Sequence, residues 1–161
     1  MFFHTQGNNI VSINYTELHF RKRKSLSADS KVCAGCRTCE IICSLSHEGS
    51  IDIEKSRIIV KSNSFKGSFT PRFCHQCSDF PCFYSCPEAA IHIDPDLGIV
   101  LIDEKKCVGC RECEEACPFK IIRYDEQKEK AFKCDFCNGD PKCVRWCPVN
   151  ALGIIKFGGE I

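Results

Sequence analysis

Long apolar runs are missing from this 161-residue sequence. Stretches such as Ile99-Val100-Leu101-Ile102 fall far short of the roughly 18 apolar residues of a membrane helix, so no membrane span is expected. An excess of either charge is missing too. Lysine and arginine number 22 against 21 aspartates and glutamates, without a spread of basic and aromatic residues, which argues against a nucleic-acid partner. The start, Met1-Phe2-Phe3-His4-Thr5-Gln6-Gly7-Asn8-Asn9, turns polar at once and shows neither a secretory leader nor a twin-arginine signal, so the expected compartment is the cytoplasm. Walker loop, Rossmann glycine fingerprint and nucleophile elbow are all absent, and no catalysis by this chain alone is expected. Once cysteine is set aside, only about a third of the residues are apolar, which is lean for an organic core.

Cysteine makes up the shortfall, with 16 residues. Disulfides, zinc and iron–sulfur clusters are its usual uses in a short chain, and a reducing cytosol disfavours the first. The cysteines fall into four groups of four: Cys33, Cys36, Cys39, Cys43; Cys74, Cys77, Cys82, Cys86; Cys107, Cys110, Cys113, Cys117; and Cys134, Cys137, Cys143, Cys147. Each group opens C-x-x-C and closes C-x-x-x-C, and only the middle gap varies. Proline follows the last cysteine of groups two, three and four as Pro87, Pro118 and Pro148, whereas Ser44 follows Cys43.

Between the groups run short segments rich in β-branched residues. Ile91-His92-Ile93 and Gly98 to Ile102 flank a hairpin turn at Asp94-Pro95-Asp96-Leu97, and Ile121 to Tyr124 and Ala131 to Lys133 flank a charged turn. Arg57-Ile58-Ile59-Val60 is strand-like within the long insert 44–73, and a lone strand at Ile154-Ile155-Lys156-Phe157 ends the chain. Residues 1–30 contain no cysteine. They alternate Val11, Ile13 and Tyr15 before Arg21-Lys22-Arg23-Lys24, a run that reads as a solvated tail or as an arm gripping a partner protein.

Structural zinc usually takes two C-x-x-C knuckles from separate segments. Groups one and three instead place three cysteines at i, i+3 and i+6 in one loop with a fourth at i+10, the spacing of bacterial two-cluster ferredoxins. A tight loop covers three corners of one 4Fe-4S cube, and one helical turn carries the fourth thiolate to a neighbouring cube before proline ends it. Gly35 and Gly109 relax their loops so that N–H groups approach sulfur. Cross-ligation makes the groups pair, and spacing alone permits more than one pairing.

The four-group layout over about residues 30–157 resembles the four-cluster electron-transfer subunits related to the iron–sulfur subunit of dimethyl sulfoxide reductase. The resemblance implies four [4Fe-4S] clusters and nested pairing, group one with four and two with three. The implied ligand sets are Cys33, Cys36, Cys39 and Cys147; Cys134, Cys137, Cys143 and Cys43; Cys74, Cys77, Cys82 and Cys117; and Cys107, Cys110, Cys113 and Cys86. The expected fold is α+β, two interleaved bacterial-ferredoxin-like modules: an outer one from residues 31–73 and 134–161 and an inner one from residues 74–133, preceded by the arm 1–30.

The stretch Cys33-Ala34-Gly35-Cys36-Arg37-Thr38-Cys39-Glu40, with Cys43-Ser44-Leu45-Ser46-His47-Glu48-Gly49 and Ser56-Arg57-Ile58, is similar to small subunits accompanying tungsten-dependent aldehyde oxidoreductases. That similarity implies electron transfer between a large tungstopterin subunit and an external carrier such as ferredoxin. Small subunits of benzoyl-CoA reductases, formate dehydrogenases and hydrogenases are related, and a free polyferredoxin is the remaining alternative.

Residues beside the ligands read more plainly. His75 is an exposed loop histidine, and His47 with Glu48 makes a local turn contact. Trp146, Phe83, Tyr84, Phe119 and Phe136 shield or pack, while Arg37 and Arg111 sit on helix surfaces, where they also offset cluster charge. An oxidised cube contributes about +2 and its four thiolates −4, so four filled sites would take the formal charge from +1 to about −7.

Overall fold

The computed structural model describes residues 23–157. Its strands are short and pair into four antiparallel two-stranded ribbons. β1 (Lys24–Ala28) pairs with the last strand, β8 (Leu152–Lys156); β2 (Ile59–Asn63) with β3 (Ser68–Arg72); β4 (Ile91–Ile93) with β5 (Val100–Ile102); and β6 (Arg123–Asp125) with β7 (Lys130–Phe132). Helices follow the C-x-x-C loops: α1 (Thr38–Glu48), α2 (Pro81–Tyr84), α3 (Glu112–Ala116) and α4 (Lys142–Arg145). α1 packs on α4 and α2 on α3. This is a ferredoxin-like α+β chain of small mixed elements.

Two hairpins sit where the β-branched segments and turn residues put them. The final strand is not alone. β8 takes as its partner Lys24–Ala28, which lies inside the stretch read as an arm, with Leu26 opposite Ile154 and Ala28 opposite Leu152. Leu26 and Leu152 are both buried, and the Arg23 guanidinium stacks on the Phe157 ring at 3.8 Å, so this end of the basic run is packed rather than solvated. Arg21, Lys22, Val11, Ile13 and Tyr15 lie outside the described residues.

The missing proline after Cys43 has a local consequence. α2, α3 and α4 stop within a residue or two of their last cysteine, but α1 runs on for a further turn to Glu48 and closes where the Gly49 N–H donates to Leu45 C=O at 3.0 Å. Ser44 is fully buried there: its hydroxyl donates to Ile41 C=O at 3.1 Å and accepts from the Asp52 N–H at 3.2 Å, fixing the return of the insert. Salt bridges from Lys55 to Asp125 (2.5 Å), Arg123 to Glu54 (2.6 Å) and Lys128 to Glu48 (2.5 Å) then hold α1 and the insert against the β6–β7 ribbon.

Two apolar cores flank the cysteines. One gathers Leu26, Ile58, Val60, Phe73, Ile99, Phe136 and Leu152 around Cys39, Cys43 and Cys143; the other gathers Phe80, Ile91, Ile93, Val100, Ile121 and Ile122 around Cys113 and Cys117. Adjacent residues Ile99 and Val100 face opposite cores, as strand alternation requires, so the β4–β5 ribbon is the wall between them. Each fully buried aliphatic side chain contributes about 1.5–3 kcal/mol.

Candidate metal centres

The four cysteine loops share one left-handed position. The position two after the first cysteine has positive φ in all four groups: Gly35 at 68°, Gln76 at 51°, Gly109 at 76° and Phe136 at 61°. Glycine holds it in groups one and three. An added Cβ would lie 2.4 Å from the Phe69 ring at Gly35 and 2.4 Å from Glu129 C=O at Gly109, so neither tolerates a side chain. In groups two and four burial holds a non-glycine residue there instead. Phe136 fills the first core, and Gln76 accepts from the Val100 N–H at 2.7 Å while donating to Cys134 C=O at 3.5 Å.

The closing cysteines repeat a second device. After Cys86, Cys117 and Cys147 comes proline, and three residues on Ala89, Lys120 and Asn150 again take positive φ. That turn aims a backbone N–H back at sulfur: Ala90 to Cys86 Sγ at 3.3 Å and Ala151 to Cys147 Sγ at 3.2 Å. Cys43 lacks the turn, and the Arg57 N–H from the insert donates to its Sγ at 3.3 Å instead.

These loops bring cysteines from different groups to common hollows. Cys33, Cys36, Cys39 and Cys147 line one of about 310 Å³; Cys74, Cys77, Cys82 and Cys117 one of about 380 Å³; and Cys86, Cys107, Cys110 and Cys113 one of about 330 Å³, open mouths included. Cys43, Cys134, Cys137 and Cys143 are linked pairwise. Charge on Cys143 is repelled by Cys43 and Cys137, charge on Cys134 by Cys143, and His47 reaches both Cys43 and Cys137. Thiolate charge is also felt between sets, with Cys39 repelling charge on Cys143, Cys74 on Cys134 and Cys82 on Cys113.

All sixteen thiols are free of disulfides. Burial pushes those of Cys39, Cys113 and Cys143 up to about 12 and that of Cys82 to about 11, because a lone thiolate is costly away from water. Binding a cation must therefore discharge protons as it creates thiolates. Four cysteines converge on each of these hollows as an all-thiol donor set, and the i, i+3, i+6 loop spacing of groups one and three with a fourth thiol from another group suits a cube of iron and sulfide rather than the two separate knuckles of structural zinc. The residues fit an iron–sulfur group.

The flanking residues differ from the sequence reading in several places. His47 is more than a turn contact: Nδ1 faces Cys43 C=O at 2.7 Å and Nε2 faces Asp135 Oδ1 at 3.1 Å, from the other side of group four. Burial opposes its protonation, but bonds to Asp135, Cys137 and Cys43 outweigh it and lift the pKa to about 12. Burial would likewise raise the Asp135 carboxyl, yet His47 and Arg57, whose Nη1 lies 2.6 Å away, hold it well below the usual carboxylate range. His47, Asp135 and Cys137 bring donor atoms within 4.8 Å of one another, but His47 and Arg57 already engage the carboxylate, so the trio positions Cys43 and Cys137 rather than forming a separate ion site. Glu48 pairs with Lys128.

Arg37 and Arg111 take left-handed backbone at the starts of α1 and α3, and Arg111 pairs with Glu114 at 2.9 Å and lies over the Tyr124 ring. His75 is exposed as expected and stacks against Phe119 at 4.2 Å. Phe136 is core, but Trp146 and Tyr84 are 58% and 72% exposed and shield little. Lys133, the last residue of the strand-like run Ala131 to Lys133, lies beside Cys74 at 3.6 Å.

Residues 65–158, which hold cysteine groups two, three and four, match the family model for the 4Fe-4S dicluster domain. The chain belongs to that family. This dicluster-domain protein is 46% identical over 115 residues to the polyferredoxin-like subunit of an aliphatic sulfonate oxidoreductase from Pyrococcus furiosus, covering 71% of the chain and 66% of that protein. It is 37% identical over 138 residues to the putative electron transport protein YsaA of Escherichia coli, covering 78% and 85%. Among solved structures, a chain of the active-site complex BamBC of benzoyl coenzyme A reductase with 1,5-dienoyl-CoA superposes with a TM-score of 0.52 at 26% identity, over 86% of this chain and 78% of the other. The cysteine loops thus belong to a 4Fe-4S dicluster domain, and the relatives named here are an oxidoreductase subunit and a putative electron transport protein. Among the described residues, no helix is long and apolar enough to cross a membrane.

Proposed function

We propose that the sixteen cysteines hold four [4Fe-4S] clusters in nested sets, and that the clusters carry single electrons between a large catalytic subunit and an external carrier such as ferredoxin. Cys33, Cys36, Cys39 and Cys147 hold the first; Cys43, Cys134, Cys137 and Cys143 the second; Cys74, Cys77, Cys82 and Cys117 the third; Cys86, Cys107, Cys110 and Cys113 the fourth. The observation that carries this reading is that three hollows are each lined by three cysteines of one group and the last cysteine of another. Charge repulsion between thiols of neighbouring sets supports a file in the order first, second, third, fourth. Interleaving follows: residues 31–73 and 134–161 form the outer module, residues 74–133 the inner one, and residues 1–30 an arm whose last residues join the outer module as β1.

When bound, such clusters supply one-electron transfer at potentials set by charge, hydrogen bonds to sulfur and exposure. This chain supplies those hydrogen bonds from the N–H groups of Arg57, Ala90 and Ala151, and leaves only Cys36 and Cys110 exposed, in the first and fourth sets. Those two loops are where electrons enter and leave. The partner is the large subunit of a tungstopterin aldehyde oxidoreductase in the cytoplasm, a reading supported by the Cys33–Glu40 and Cys43–Gly49 motifs and compatible with the oxidoreductase-subunit relatives.

Iron and sulfide analysis of anaerobically purified protein tests the cluster reading, with about 16 Fe and as much sulfide expected per chain. About four zinc without sulfide would overturn it. Native co-purification followed by metal analysis tests the partner: a large subunit with tungsten is expected, and recovery of this chain alone would favour a free polyferredoxin.

A further inference from the structure

Lys133 is a buried ammonium with no carboxylate. Its residue is 4% exposed, and among the described residues no aspartate or glutamate pairs with it. Its Nζ donates to Val100 C=O and lies 3.6 Å from Cys74 Sγ. The side chain lines the hollow of Cys74, Cys77, Cys82 and Cys117, and also the adjoining hollow that reaches Cys134 and Asp135. Removing an ammonium from water is costly unless negative charge meets it; the sulfur of Cys74 is within reach, while Arg57, Glu104 and Asp135 line the adjoining hollow without pairing with it.

The geometry points to Lys133 as the residue that sets the redox balance of the cluster held by Cys74, Cys77, Cys82 and Cys117, by placing a fixed positive charge between that set and Cys134. The inference rests on the cluster assignment proposed above. Its physics is direct. A [4Fe-4S] site gains one negative charge when it accepts an electron, and a cation at its sulfur, out of water, favours that more negative state over the oxidised one. Lys133 sits where the file passes from the second set to the third, so it acts as a positioning residue for charge at that step and takes no part in ligation.

Three substitutions separate charge from hydrogen bonding. Lys133→Arg keeps the charge, Lys133→Gln keeps a donor for Val100 C=O without it, and Lys133→Met removes both. Spectroscopic redox titration of the iron-loaded proteins should show one cluster in both the Gln and Met variants shifted at least tenfold toward the oxidised form, about 59 mV downward for a one-electron couple, with the Arg variant close to the parent. Unchanged potentials in the Gln and Met variants, or an Arg variant shifted as far as Met, would overturn the inference. If the neutral variants assemble short of iron, loss confined to one cluster signal with Arg intact supports the charge role. Loss of every signal, or equal loss in Arg, would mean a purely structural brace. A parent protein found with zinc and no sulfide sinks the cluster assignment itself, a result visible before any variant is made.

Discussion

At the residue scale, the ionic contacts that steady the sulfur loops can be tested through pH. Asp125 is buried, its carboxylate 2.5 Å from the Lys55 ammonium, and that bond, reinforced by the N–H groups of Lys128 and Gln127, holds its pKa below the usual value although burial opposes it. A depressed carboxylate stabilises the fold above the unfolded pKa of about 3.9 and loses that contribution as pH falls through the folded value. Asp125→Asn should therefore shed iron faster than the parent at pH 7, followed by visible absorbance, and the gap should close as the pH is taken below about 4. A gap that is constant or widens on acidification would contradict this account.

Residue identities were legible where one residue type alone serves. Gly35 and Gly109 follow from the tight loop, and the structure adds the Phe69 ring and the Glu129 carbonyl as reasons for them. Gln76 and Phe136 take the same left-handed backbone but gave no sign of it, because what holds them there is burial against distant residues. The reach of His47 to Asp135 and the place of Lys133 beside Cys74 were hidden for the same reason, each contact joining residues far apart in the chain.

Among the elements, local signals gave the β4–β5 and β6–β7 ribbons, since turn residues sit between β-branched runs. The β1–β8 ribbon escaped because Lys24-Ser25-Leu26-Ser27-Ala28 has little strand propensity and follows a basic run, and its pairing is the longest-range of all. β8 begins one residue after Ala151, whose N–H meets Cys147 Sγ. Removing residues 1–28 uncovers Leu152 and loosens that contact. The truncated protein should lose the cluster of Cys33, Cys36, Cys39 and Cys147 first on warming, with the signal of the Cys86, Cys107, Cys110 and Cys113 cluster outlasting it. Simultaneous loss of all signals would show that β1 serves the whole fold instead.

Across the whole molecule, nested sets make double substitutions non-additive. Cys33→Ala and Cys147→Ala should each lower iron from about 16 to about 12 per chain, and the two together should stay near 12, because both strike one cluster. Cys147→Ala combined with Cys107→Ala should fall to about 8. Iron analysis alongside cluster spectra checks this, and additive loss in the first pair would break the nesting. The four groups and the need for them to pair were plain from spacing, whereas which groups pair depends on the folded chain, and the thiols that share a hollow support the nested sets proposed above.

The hollow lined by Cys33 and Cys147 also bears on the order of events during synthesis. A ribosome delivers Cys33 more than a hundred residues before Cys147, so that hollow has no fourth wall until Cys147 has emerged. The hollows of Cys74 to Cys117 and of Cys86 to Cys113 have all their thiols once Cys117 has emerged. Iron delivered to the nascent chain would find complete sites in the middle of the polypeptide first, leaving Cys33, Cys36 and Cys39 as the thiols longest exposed to oxidants before a cluster can protect them.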